Sequence, residues 1–321
     1  MTDRLADIGR RIQGVRQLAS VVGAMRAIAA TRAQQSRLQL AGIRAYSDSI
    51  ALAIAQALRL LPADHAASSP RRDHRGLILF CAEQGFAGAF TERVLNAARD
   101  ELAGATLFVI GSRGARIVAE SGLAPAWQAP MAAHVDGVKL LAIRLADALY
   151  DTMPADGLRS VDVFFPTWAP GAGLAVERRS LLPLDPSRFA SLPPGDAPLI
   201  TLPAPELLAR LAEEYVYAAL CEAAMRAFSA ENKARVAAMV RAKGNIETML
   251  GALQARERQV RQEEITAEVV ELASGAGLLR QARGSTAPGE CTATVSFCAA
   301  SVARSGPSTG DNHHDQFPDC L

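Results

Sequence analysis

Two glycine-containing turns are the first places where this sequence could do chemistry. Gly111-Ser112-Arg113-Gly114 follows the apolar run Thr106-Leu-Phe-Val-Ile110 and opens a helical pattern. That is where a dinucleotide-binding fold sets a pyrophosphate against main-chain N–H groups at a helix N-terminus. The fingerprint is incomplete. No third glycine stands at the required spacing, and no acid closes a second strand about twenty residues on. Gly85-Phe86-Ala87-Gly88, after an earlier apolar run, is equally partial. Both read as tight strand-to-helix turns, and no Walker A lysine motif occurs anywhere in the chain.

The other reactive residue types are scattered. His65 and His74 fall in a linker, His134 near a helix start, and His313 and His314 in the tail, none with metal-ligand spacing on a helix face. The five cysteines are Cys81, Cys221, Cys291, Cys298 and Cys320, an odd number without framework spacing. Cys81 lies in an apolar run and reads as a small core residue. Acids of the middle segment such as Asp162 and Glu177 form no general acid–base motif and are expected on the solvated surface. The residues therefore point to a noncatalytic chain with no cofactor and no metal.

The elements around these residues are unusual in length. Glu206–Leu279 has no proline and would span about 110 Å as one α-helix at roughly 1.5 Å per residue. Met1–Leu61 is also free of proline and would reach about 90 Å. Leu5, Ile8, Ile12, Val15, Val22, Met25 and Ala29 recur at steps of three and four, near the seam of a coiled coil. Gly9, Gly14 and Gly23 weaken this helix by up to about 1 kcal/mol each, and are expected to let another backbone approach. A break is expected near Gly42.

Between the two helices the pattern changes. Apolar runs at 76–82, 106–110, 160–165 and 174–182 read as strands, and 91–102, 112–121 and 132–153 as helices. That alternation predicts βαβ units around a largely parallel sheet. The expected fold class is α/β: a long antiparallel coiled coil of N- and C-terminal helices plus a Rossmann-like α/β domain. The expected organisation is an N-terminal shaft helix over 1–61, a linker over 62–75, the α/β domain over 76–205, a C-terminal shaft helix over 206–280 and a disordered tail over 281–321.

Charge is balanced overall, at 34 basic against 33 acidic residues, which removes any general argument for nucleic-acid binding. Residues 1–61 are different, with nine arginines against three aspartates, a local charge of +6. Such an arm suits an acidic protein surface or phosphate, or simply the solvated flank of a helix. No signal peptide is read at the start, and no apolar stretch has the length of a membrane span.

The second long helix carries Arg261-Gln262-x-x-Ile265-Thr266-x-Glu268-x-x-Glu271-x-x-x-Gly275-Ala276, which resembles the C-terminal signature of the γ subunit of F-type ATP synthases. Ser229-Ala-Glu-Asn232, Ala234-Arg235-x-Ala237-Ala238-Met239 and Met25-x-x-Ile28-Ala29-Ala30 resemble the same family, and Glu83-Gln84-Gly85-Phe86-Ala87-Gly88 stands where it has a glycine-rich turn. The likeness covers about residues 1–280. Gln84, Phe86, Ala87, Leu278 and the Val21-Val22-Gly23-Ala24 stretch depart from the usual pattern and mark a divergent branch, with H⁺ and Na⁺ both open as the coupling ion.

This resemblance implies a central-stalk rotor, whose helices turn inside a ring of α and β subunits and couple ion flow to ATP synthesis or hydrolysis. It implies the α and β subunits, the ε subunit and the membrane c-ring as partners, no nucleic acid, and a peripheral place on the cytoplasmic side of a bacterial inner membrane. Gln262, Thr266 and Glu268 match polar contact positions toward β, with Arg261 and Arg26 as further contacts. Thr266 and Glu268 lie about 200° apart around a helix and would touch different neighbours. Two other readings are a coiled-coil scaffold carrying an α/β domain without a rotary role, and a Rossmann-type nucleotide-binding enzyme.

Overall fold

The structure, a computed structural model, describes residues 2–60, 74–169, 171–185, 187–190 and 199–283. The expected tail from 284 onward and most of the expected linker lie outside these residues, with His65, His313, His314, Cys291, Cys298 and Cys320. The chain divides into two units, Met1–Gln262 and Glu263–Leu321.

The first unit begins with helix α1 (Thr2–Leu58) and ends within helix α6 (Ala204–Arg283). Pro205 and Glu206 open α6, a first-turn proline with fixed φ and an acid that complements the helix dipole. The helices run antiparallel. Val22 packs with Met239 and Ile246, whereas Ile50 and Ile54, further along α1, pack with Ala218 and Leu211, earlier in α6. The Tyr46 hydroxyl donates to Glu214 at 2.6 Å in the same sense.

Two expectations about α1 are corrected. Gly42 does not break the helix, because a single glycine weakens a helix that is held by tertiary packing without ending it. Nor, among the described residues of this chain, does another backbone come close to Gly9, Gly14 or Gly23: a Cβ on any of them would meet nothing within 4 Å.

Between the helices lies a five-stranded sheet. Its strands are β1 (Arg75–Phe80), β2 (Thr106–Ile110), β3 (Trp127–Ala129), β4 (Ser160–Ala169) and β5 (Gly173–Leu182), in the order β3-β2-β1-β4-β5. Pairings β1–β2, β1–β4 and β2–β3 are parallel, and β4–β5 is antiparallel. Helices α2 (Phe90–Ala98) and α3 (Ser112–Glu120) follow β1 and β2, and α4 (Gly137–Asp156) carries the chain from β3 across to β4.

Alternation along β1 builds two cores. Leu77, Leu79 and Cys81 pack with Val94 and Ala98 of α2 and Val118 of α3. Ile78 and Phe80 pack on the other face with Leu141, Leu145 and Leu149 of α4 and Leu220, Ala224 and Phe228 of α6. The second long helix is therefore part of the domain core. Each large apolar side chain buried there stabilises the arrangement by about 1.5–3 kcal/mol. The short α5 (Ser187–Ala190) seats Phe189 against Ile54 and edge-on to Tyr215, at 5.2 Å between ring centres.

In the second unit, Glu263–Arg283 is helical. Ile265, Val269, Val270 and Leu272 on it are all more than half exposed. These are large apolar side chains with no core of their own.

Candidate functional site

Sheet order makes β1 and β4 the strands at which the winding reverses, so a ligand of a Rossmann-type fold would sit beyond their C-terminal ends. In this chain α6 occupies that place. Ala230 and Ala234 of α6 pack against Ala82, Ala87 and Phe90, with Trp168 and Leu174 alongside. Between them sits the Glu231 carboxylate, 3% exposed. It accepts from the backbone N–H of Glu83 at 3.3 Å and of Gln84 at 3.2 Å, and from the Arg235 guanidinium at 2.6 Å. Arg235 also donates to Asn232 Oδ1 at 3.3 Å and to the Gly85 carbonyl at 3.5 Å. Asn232 is fixed in turn, its amide donating to the Phe228 carbonyl at 2.8 Å.

Glu83 continues this latch across the loops. Its carboxylate accepts from the Ser112 N–H and hydroxyl, both at 2.9 Å, and from the Met131 N–H at 2.8 Å. It thus joins the loop after β1 to the start of α3 and the segment after β3. The glycines beside it are explained by packing. Gly111 has φ 107°, and a Cβ there would lie 2.5 Å from the Cys81 carbonyl oxygen; one on Gly114 would lie 2.0 Å from the Cys81 Cβ. The glycines let α3 press onto β1, which is the tight-turn reading of Gly111-Ser-Arg-Gly114. Phe86 takes φ 62° in the other turn and is 65% exposed.

A second buried carboxylate, Glu222, ties α6 to α1 and β5. It pairs with Arg179 at 2.8 Å, Arg226 at 2.6 Å and Arg44 at 3.5 Å. Burial pushes its carboxyl up, but the hydrogen bond and charge of Arg179, joined by Arg226, outweigh this and hold it below the ordinary carboxylate range. Glu177 extends the cluster to Arg179 and Arg226, each at 3.0 Å, and the Arg179 guanidinium lies 5.1 Å from the centre of the Phe165 ring. Asp162, 4% exposed, meets Arg178 at 3.0 Å, and Glu101 receives Arg178 and Arg75 at 2.6 Å each. Asp162 and Glu177 were expected on the solvated surface; Asp162 is instead buried, and Glu177, its side chain 38% exposed, keeps access to solvent while pairing with arginines of β5 and α6.

The five residues expected to make contacts lie on helix surfaces. Arg26 is exposed on α1, one residue past Met25, which packs beside Met239 and Ala242. Arg261 is exposed and pairs with Glu257 one turn back at 3.3 Å; Gln262 beside it is exposed too. Arg261 stands fifteen residues beyond Ile246, about 22 Å along the axis, so the structure does not bring it to Arg26. Thr266 and Glu268 are exposed on the helix of the second unit. What the sequence reading missed is the inward set, Glu83, Glu222 and Glu231. The available signal was an acid inside an otherwise apolar stretch, as in Ala219-Leu-Cys-Glu222-Ala-Ala.

Among the described residues no cluster of His, Cys, Asp and Glu has the makings of a metal site, and no helix is long and apolar enough to cross a membrane. Burial pushes the Cys81 thiol up to about 12, which leaves it protonated and unreactive at neutral pH. The geometry offers a helix pair bolted to a sheet domain, with polar and apolar surface left over on the helices.

Comparison with known proteins agrees in order and extent. Residues 4–279 match the family described as ATP synthase. The ATP synthase gamma chain of Frankia casuarinae is 25% identical over 299 residues, covering 87% of this chain and 99% of the relative. That of Mycolicibacterium smegmatis is 27% identical over 308 residues, with the same 87% and 99% coverage. Among solved structures, a chain of the Euglena gracilis mitochondrial ATP synthase, in its OSCP/F1/c-ring assembly, has the same fold at a TM-score of 0.60. It is 11% identical, with 91% of this chain and 99% of that one aligned.

Proposed function

We infer the role of this chain from one premise: it belongs to the ATP synthase γ-chain family. It is the γ subunit of an F-type ATP synthase, the rotor of the central stalk. The observation that carries this is the match over residues 4–279, which takes in both long helices and the sheet domain between them.

A rotor must deliver torque from one end to the other without slipping. The sheet domain is the end that a turning membrane ring would drive, and α6 is built into its core rather than tethered to it. Twisting the domain against α6 would break the Glu231 hydrogen bonds to the loop after β1 and the Glu222 pairs to β5 and α1. Breaking one buried ion pair costs about 3–5 kcal/mol, so the joint resists slipping. At the other end, catalytic sites change state only if the helices contact their states unequally. An off-centre helix pair that meets each neighbour with a different face supplies that inequality.

In this reading residues 1–61 and 206–280 form the shaft and 76–205 the foot. The α and β subunits surround the helices; the ε subunit and the c-ring meet the foot. Gln262 and Thr266, with Glu268, contact β, and Arg261 and Arg26 add charged contacts at separate levels of the shaft. The chain is peripheral and reaches the membrane only through its partners, on the cytoplasmic side of a bacterial inner membrane. Co-expression with its own α, β and ε subunits tests this. A rotor purifies with them in fixed stoichiometry and is required for their ATPase activity, whereas a scaffold leaves the activity of the α–β ring unchanged.

A further inference from the structure

A cleft of about 360 Å³ lies where residues 37–44 of α1, residues 226–233 of α6 and the end of β4 meet. Arg37 and Arg44 stand seven residues apart on α1, and Arg226 and Lys233 seven apart on α6, all four lining this cleft. Seven residues are two helical turns, so each pair shares one face. Because the helices run antiparallel, Arg44 and Arg226 are at the same level, and Arg37 and Lys233 are two turns further on.

The two levels differ in charge. Arg44 and Arg226 both pair with Glu222, and Arg226 also with Glu177, so each cation of the lower level has a carboxylate partner. No acid stands three or four residues from Arg37, whose neighbours are Ala33, Gln34, Leu40 and Ala41, or from Lys233, whose neighbours are Ser229, Ala230, Val236 and Ala237. Neither cation forms an ion pair with a carboxylate among the described residues. Lys233 is half-buried, and burial, then the charge of Arg37, holds its ammonium below the ordinary lysine range. Thr167, Trp168 and Ser229 bring two hydroxyls and an indole N–H to the same cleft.

Two like charges lining one cleft, the lysine partly desolvated and the arginine exposed, with neutral donors beside them, form a receptor for a compact anion. We propose that the cleft between Arg37 and Lys233 binds a phosphoryl oxyanion, with inorganic phosphate as its ligand. A guanidinium presents paired N–H donors to two oxygens, the ammonium acts as a point charge from the facing helix, and the hydroxyls complete the shell. Bound there, the anion clamps α1 to α6 beside the crevice that α6 fills.

The chain has two tryptophans, so Trp127→Phe leaves Trp168 as a reporter in the cleft. Full-length protein of this background is titrated with phosphate, and with chloride at matched ionic strength, while Trp168 emission and binding heat are recorded. The expected result is a saturable phosphate response that chloride does not give, weakened at least tenfold by Arg37→Gln or Lys233→Gln. Arg37→Glu supplies Lys233 with an internal partner; it is expected to fold with a raised melting temperature and to lose the phosphate response. ADP in a parallel arm identifies the source: binding no tighter than phosphate assigns the site to the free anion, and tenfold tighter binding assigns the same cations to a nucleotide's phosphoryl group. Coincident phosphate and chloride curves, or variants that titrate like their parent, overturn the proposal.

Discussion

Replacing Glu231 by Ala tests whether the helices and the sheet domain are one mechanical body. The substitution removes an acceptor from three donors: the N–H groups of Glu83 and Gln84 and the guanidinium of Arg235. Arg235 is itself only 8% exposed, and its remaining acceptors are long, at 3.3 and 3.5 Å. An uncompensated buried charge costs about 3–5 kcal/mol, and the two surviving acceptors place this case near the lower end, about 3 kcal/mol. For a unit of this size each 1 kcal/mol moves the melting temperature by about 2–4 °C, so a fall of roughly 6–12 °C is expected. Thermal unfolding of the isolated chain by circular dichroism reads the fall. Hydrogen exchange reads the site, with faster exchange at the Glu83 and Gln84 amides. Glu231→Met with Arg235→Met is expected to recover most of the loss, since no buried charge is then left unpaired. A fall below about 1 kcal/mol, with unchanged exchange at those amides, would refute the latch.

Further outcomes follow from the same geometry. Gly114→Ala forces a Cβ to 2.0 Å from that of Cys81 and is expected to destabilise by about 1–3 kcal/mol in urea unfolding, whereas Gly14→Ala meets nothing and should stabilise α1 by up to about 1 kcal/mol. The Glu222 carboxyl, held below its ordinary 4.5, contributes stability that is present above that pH and lost as pH falls through the folded value; Glu222→Gln should flatten the acid limb of the stability–pH curve. Cys81 is expected to resist iodoacetamide at pH 8 in the native chain and to react on unfolding, as read by peptide mass spectrometry. Changing Gln262, Thr266 and Glu268 together to Ala should leave helix content intact and lower the ATPase turnover or assembly of the reconstituted complex; unchanged turnover and assembly would return them to plain helix surface.

Much of the architecture could be read from patterning because its signals are long-range repeats. The absence of proline over 206–279 and the three-and-four spacing in residues 5–29 announce helices, and the runs at 76–82 and 106–110 announce buried strands. Features that depend on a partner were harder to see. β3 is three residues, Trp127–Ala129, with only Ala129 buried, too short to show a period. β4 runs on to Ala169 through Pro166, a residue that argues against a central strand. Pairing to β1 ends at Phe164, so from there β4 has only β5 beside it and no N–H toward a second neighbour is needed. Glycines in α1 suggested a close approach that the chain does not make, and acids in the sheet domain suggested solvent where they meet arginines from other elements. Residues facing outward were found through a family signature, and the buried carboxylates that hold the helices to the domain were not, because their partners on other elements are 29 to 178 positions away in sequence.

The most direct test of the rotor is to watch it turn. The reconstituted α–β ring with this chain is fixed to a surface through β, and a probe is attached to the foot at a cysteine introduced for Glu120, an exposed position at the end of α3. On addition of ATP the probe should rotate in one direction in discrete steps, and the rate should follow ATP turnover. A complex that hydrolyses ATP at the same rate while the probe stays still would contradict the account.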